Sequence, residues 1–271
     1  MPELIINDEN WLQHVAPVIN GQQVSRGFSM RDYYNFPPAS FDGSQSWDDH
    51  DLELIPRDAW DDLAADMERT KSRLSDIRMQ SGPNGSYIPS LDQNGQGFCW
   101  AYSTTGAVML MRAVQNLPYK RLSPHAVACK IYNFQDRGAW GALSLDFIRK
   151  NGVPDVDYWP EKSMSRQYDK TETWDNAKQY RAAEGWLDLD VEAYDANMIE
   201  AQIVTCLLNR IPVIHDFAWW SHSVVCMDYV VGNGRRILNS WTDSYGDKGM
   251  AVITGSKIKP MGACAVRSVV A

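Results

Sequence analysis

The sequence predicts an α+β protein, with helix-periodic segments in its first two thirds and alternating apolar strands in its last third. Two stretches carry this reading. Residues 98–115 set Trp100, Ala101, Ala107, Val108, Met111 and Val114 at helical spacing. From residue 211 the period changes to two, with apolar runs at 211–214, 224–231, 236–239 and 250–254 separated by glycine and aspartate turns. The composition, 44% hydrophobic and 22% charged, is that of a globular chain. A helical half followed by an antiparallel half predicts a cleft between the two.

Taken in order, residues 1–52 read as an extended N-terminal arm. Tyr33, Tyr34, Phe36, Phe41 and Trp47 are interleaved with Pro37, Pro38, Gly43 and serines, with neither helical nor strand period. Such a segment cannot close a core alone, yet its aromatics favour burial, so it is expected to lie on the domain or on a partner protein. The acidic run Asp48, Asp49, Asp51 and Glu53 around His50 reads as a solvated hinge, not a metal site. Residues 53–271 form the main domain. Residues 58–79 predict one helix, with Trp60, Leu63, Ala64, Met67, Leu74 and Ile77 on one face and Asp58, Asp61 and Asp62 near its N-terminal end. Residues 122–151 read as further helix, 152–190 as irregular surface with a helix around 173–183, and 196–209 as helix.

Charge and motifs exclude several classes. The net charge of -8 argues against a nucleic-acid surface, which needs clustered Lys and Arg. No apolar run approaches the roughly 20 residues of a membrane span, so no membrane partner is expected. The start lacks a secretory pattern. The five cysteines, Cys99, Cys129, Cys206, Cys226 and Cys264, are scattered without a CxxC, which fits neither a disulfide framework nor a zinc site. No cofactor or metal is expected, and the setting expected is cytoplasmic or virion-associated.

Chemistry concentrates at Gln93 to Ser103. A glycine-punctuated loop delivers Cys99 to the first turn of a helix, where the dipole and unpaired N–H groups favour the thiolate. Gln93 stands where its amide can meet an oxyanion beside the sulfur. Of five histidines, His14 and His50 lie in the arm and His125 at a helix start. His215 ends a strand beside Asp216, which suits an ordinary ion pair. His222 opens a strand at the cleft, and Asn239 ends the next one. The expected geometry has Asn239 accepting Nδ1–H of His222, so that Nε2 faces the sulfur, with Trp241 shielding that bond from water.

These segments resemble the papain-like (C1-type) cysteine peptidases. Gln93 followed by Cys99-Trp100-Ala101-Tyr102-Ser103 is similar to that family's Q-x-x-x-x-x-C-W-A-F-S. His222-Ser223-Val224-Val225 resembles its H-A-V strand, and Asn239-Ser240-Trp241 through Gly249-Met250 its N-S-W-G-x-x-W-G-x-x-G-Y. Leu122-Ser123, Trp140 to Leu143 and Leu54-Ile55-Pro56 echo further family segments. The resemblance implies a papain-like fold, with the helix at 58–79 as an insertion. It also implies a Cys99–His222–Asn239 triad with Gln93 in the oxyanion hole, and support of that triad by Trp100 and Trp241. Substrate contacts are implied at Gly138 and Ser221. The departures lie around the site. Gln96 replaces a half-cystine, Phe98 a small residue, and Arg137-Gly138-Ala139 the family's paired glycines; the bend before His222 is short. The resemblance thus implies hydrolysis of a peptide or protein substrate. Two alternatives stay open: a structural or interaction component of a larger assembly such as a virion, with the arm docked on a partner, and a peptidoglycan endopeptidase or amidase. The arm is expected to be either an interaction arm or a propeptide.

Overall fold

The structure, a computed structural model, describes residues 3–15, 27–189 and 196–271, together with the backbone of two short strands, β2 (Val18–Ile19) and β3 (Gln22–Gln23). The other elements among these residues are β1 (Ile5–Ile6), β4 (Ser44–Gln45), α1 (Trp60–Thr70), α2 (Leu74–Arg78), α3 (Cys99–Val114), α4 (Pro124–Ile131), α5 (Gly141–Asn151), α6 (Thr171–Ala177), β5 (Trp186–Leu189), α7 (Ala196–Leu208), β6 (Val213–Phe217), β7 (His222–Val230), β8 (Gly234–Leu238), β9 (Met250–Ile253) and β10 (Gly262–Ala265). No helix among them is long and apolar enough to cross a membrane. The class is α+β.

Eight strands form one sheet in the order β1-β9-β8-β7-β6-β10-β5-β4. The six interior strands pair antiparallel, while β1 and β4 join the two edges in parallel. Both edge strands belong to the N-terminal arm, so the arm crosses the molecule from one sheet edge to the other. Its aromatics are anchored on the body: Phe41 and Trp47 are buried, as is Ile6 of β1. Full burial of a large apolar side chain stabilises by about 1.5–3 kcal/mol. A few such anchors outweigh the entropy of holding a short segment, so aperiodic sequence here is ordered structure.

Every residue of α3 from Cys99 to Ala113 is buried. The sequence predicts one apolar side; the helix is instead enclosed all round, packed on β6, β7, α2, α4 and α5. Small residues permit this approach: a Cβ on Gly106 would lie 3.2 Å from Val225 Cγ2.

Several expected elements are corrected. The single helix at 58–79 is two helices, because Lys71 adopts φ 54° and closes α1 with a backbone bond from Ser72 to Met67. Asp76, accepting from the Arg73 N–H, starts α2. The helix read over 122–151 is likewise α4 and α5. Asn133 and Phe134, both at positive φ, turn the chain out between them, and residues 132–140 form a loop that walls the cleft. The helix around 173–183 is shorter and earlier, as α6. β5 and β10 escaped the alternation test because β5 is buried on both faces and β10 is made of small residues.

Candidate active site

The loop before α3 turns at Asn94 and Gly95, both at positive φ, and sets Cys99 at the first helical position. The Cys99 thiol is fully buried. Its Sγ accepts the Gly27 N–H at 3.3 Å, and the backbone N–H groups of Ser223 and Trp100 also face it. Burial pushes the thiol up to about 12 despite these donors. Gln93 is held from both ends of its amide. Oε1 accepts the Ser240 hydroxyl at 2.7 Å, and Nε2 donates to the Gln96 carbonyl at 2.8 Å.

His222 begins β7, and its Nε2 lies 2.8 Å from Asn239 Oδ1. Asn239 Oδ1 also accepts the Ser240 N–H at 2.7 Å, which fixes the amide with oxygen toward the ring. An oxygen there can only accept, so Nε2 carries the proton. This reverses the expected assignment. The ring edge bearing Nε2 is the one turned to Asn239.

The imidazole lies between two indoles. Trp241 stacks on it at 4.5 Å between centroids, and Trp220 meets it edge-on at 5.0 Å. Trp220 was not singled out from the sequence, although Trp219-Trp220 directly precede Ser221-His222 and the doublet was visible. Its indole N–H donates to the His14 carbonyl at 2.7 Å, so the arm reaches this wall too. Trp100 acts on the other wall, donating from Nε1 to the carbonyls of Gly97 and Arg137.

Between these walls runs the arm itself. Ala139 N–H donates to Gly27 O at 2.9 Å, Ser29 N–H to Ala139 O at 2.9 Å, and Phe28 N–H to Ser221 O at 3.2 Å. Phe28 thus bridges Ala139 in parallel. Ser221, at φ 48°, contributes its carbonyl. Gly138 contributes space: a Cβ there would lie 2.5 Å from Ser29 Oγ and 2.6 Å from Gly27 O. The backbone pairing is made by Ala139, beside the glycine picked from the sequence. Gly27 is equally constrained, since its Cβ would lie 1.8 Å from the Gly97 carbonyl.

The other histidines are accounted for locally. His125 Nδ1 lies 2.6 Å from the Tyr102 hydroxyl. His50 Nδ1 accepts the Leu52 N–H. His215 and Asp216 do not pair as expected, because successive strand residues point to opposite faces. Burial holds His215 down at about 3 and raises Asp216 to about 6. No cluster of three metal-binding side chains occurs among the described residues.

The chain is 24% identical over 245 residues to cysteine proteinase RD21A of Arabidopsis thaliana, covering 75% of this chain and 50% of that protein. It is 24% identical over 189 residues to cathepsin K of Mus musculus, covering 63% and 57%. The chain spans about half the length of the curated relatives it matches. No family model matches it. Among solved structures it is similar to xylellain, a cysteine protease from Xylella fastidiosa. That match has TM-score 0.57 and 15% identity, over 93% of this chain and 99% of that one. It is also similar to digestive procathepsin L 3 of Tenebrio molitor larval midgut, with TM-score 0.51 and 15% identity over 75% and 79%. The fold is papain-like, and the sequence relatives are papain-type cysteine proteinases.

Proposed function

We propose, from a chain that is papain-like in fold and similar in sequence to papain-type cysteine proteinases, that it is a cysteine endopeptidase. The observation that carries this reading is the binding mode of residues 27–29. An extended backbone is hydrogen-bonded to both walls of the cleft, at Ala139 and Ser221, directly over the Cys99 sulfur. A cleft that holds an extended main chain beside a cysteine at the first helical position is built for a peptide.

In this reading Cys99 gives its proton to His222 Nδ1 and attacks the carbonyl carbon of a bound peptide. The Cys99 N–H and the Gln93 amide hold the oxyanion. His222⁺ protonates the leaving amine, and the acyl-enzyme is then hydrolysed by water that His222 deprotonates. Asn239 keeps the proton on Nε2 throughout.

The arm makes the chain latent. What faces the sulfur is an N–H, not a carbonyl carbon, so the seated segment offers nothing to attack. It also displaces water, which is why the thiol stands near 12 and not at its ordinary value. Of the two places expected for the arm, the domain or a partner protein, residues 27–29 occupy the first, which supports the propeptide reading of the arm. The test is hydrolysis of an unstructured protein such as casein by an Arg31→Ala chain, in which the arm is unlatched, against the same chain carrying Cys99→Ser. Cleavage in the first alone is expected. A Cys99 that, once uncovered, alkylates with a single rise near 8.5–9, the ordinary thiol range, would refute the reading.

The indole pair around His222 yields a further expectation. Trp220→Ala, in the unlatched chain, should lower kcat about 10-fold with little change in KM. It should also shift the alkaline limb of the pH profile, because the indole both shields the imidazole from water and sets the field beside it. Trp220→Phe, which keeps a ring, should stay within about 3-fold of the parent. A pH–rate profile identical in all three would show that Trp220 only fills space.

A further inference from the structure

Beside the sulfur, the arm fills a subsite whose floor is acidic. Phe28 follows Gly27, and its side chain lines a small cavity with Trp140, Ala142, Leu189 and Asp216; Arg31 and Tyr33 of the arm close it, leaving only about 10 Å³ of open space. Asp216 lines this floor, and strand register sets a second carboxylate, Asp188, on the same side of the sheet behind Arg31. Asp216 on β6 pairs with Gly262, and Asp188 on β5 pairs with Cys264, both across β10. Residues 262 and 264 share a face of the strand, so both acids lie on the same side of the sheet. Both are buried.

The cation between them comes from the arm. Arg31 makes a two-pronged bond to Asp188, at 2.7 and 2.8 Å, with side-chain exposures of 7% and 0%. Ala39 N–H, also from the arm, adds a third bond to Asp188 at 3.0 Å. Among the described residues, every hydrogen bond to that carboxylate originates in residues 31–39. Asp216 Oδ2 accepts the Gly141 N–H at 2.8 Å, the Ser223 hydroxyl lies beside the carboxyl, and Oδ1 has no partner that meets hydrogen-bond geometry. Arg31 is the cation that acts on Asp216. When the arm leaves, two buried carboxylates remain in an apolar-walled subsite with their cation gone.

We propose that this subsite selects substrates carrying arginine or lysine at the residue one removed, on the acyl side, from the bond that is cut. The inference rests on the peptidase reading. The walls, Trp140 and Ala142, suit the apolar stem of such a side chain, and the acids suit its head. Arginine fits best, because a guanidinium satisfies a carboxylate through two parallel bonds, as Arg31 does. Phe28 occupies the same place through its apolar body alone, while Arg31 supplies the charge from further along the arm. The arm thus divides between two residues what one substrate side chain provides. A glutamate there would meet two acids and no cation.

The test uses the full chain unlatched by Arg31→Ala and three acyl-X-glycine chloromethyl ketones with X as arginine, leucine or glutamate. The readout is the rate of Cys99 labelling by intact mass. Arginine should exceed leucine by about 10-fold or more, and glutamate should be slowest. Asp216→Asn and Asp188→Asn, which keep shape, should each erase most of the arginine advantage, read as the ratio of arginine to leucine rates within one variant; a cooperative thermal unfolding transition reports that the variants are folded. Efficient labelling with arginine no better than leucine, or an arginine advantage that survives both substitutions, would overturn the proposal and leave the peptidase reading standing. Failure of every probe to label Cys99 would overturn both.

Discussion

Replacing Arg31 by alanine should raise the rate at which iodoacetamide alkylates Cys99 by on the order of 10³-fold at pH 7. In the latched chain the thiol stands near 12, so about one molecule in 10⁵ carries the thiolate; an ordinary thiol near 8.5–9 is ionised in about one per cent or more. The sign follows from the reactive species. A thiol pushed up is neutral at pH 7, and only the deprotonated form attacks. Arg31 is the residue to remove because it ties the arm at several points, donating also to the carbonyls of Phe36 and Pro37. Breaking a buried, hydrogen-bonded pair costs about 3–5 kcal/mol, enough to shift a closed arm toward open. Gly27→Ala should act in the same direction by a different route, since its Cβ cannot coexist with the Gly97 carbonyl. Peptide mass spectrometry locates the alkylated cysteine. If both variants leave Cys99 as slow as the parent, the arm is not what silences it.

His222→Ala, in the unlatched chain, should lower peptide hydrolysis by about 10²–10⁴-fold while reducing Cys99 alkylation far less. The two reactions share a nucleophile and differ in the leaving group. Full ionisation of a thiol gains roughly 30-fold in thiolate at neutral pH. The lower basicity that goes with it costs on the order of 100-fold in nucleophilicity over four to five units, by a slope taken from disulfide exchange. These nearly cancel for a small electrophile that needs no proton. An amine leaving group does need one, and His222 holds it on Nδ1 once Nε2 is committed to Asn239. Parallel kinetics with a peptide amide and with iodoacetamide measure the split. Equal losses in both would mean that His222 acts only by ionising the sulfur.

The candidate site was legible in the sequence because its signals are local. The turn at Asn94 and Gly95, the helix that follows, and the strands that start at His222 and end before Asn239 each announce themselves within about ten residues. Period identified most element types, and it failed where structure suppresses alternation, as in the doubly buried β5 and the small-residue β10. It also missed interruptions made by single backbone angles, such as Lys71, since one left-handed residue leaves no mark on apolar spacing. The nitrogen assignment of His222 was misread for a related reason. Which edge of a ring meets its partner depends on the side-chain rotamer that the folded site selects, and that is not written in either strand alone.

What the sequence by itself determined is the class of the chain and the residues of its candidate site: a cysteine at a helix start, a histidine and an asparagine on neighbouring strands, and a glutamine in the loop. Only the tertiary structure decided their surroundings. The Gly27 contact to Cys99 joins residues 72 apart, and the Arg31–Asp188 pair joins residues 157 apart. No periodicity spans such distances, and the arm that makes both contacts has none of its own. Its position is set by where its aromatics, its two edge strands and one guanidinium find partners on a surface that exists only after the rest of the chain has folded.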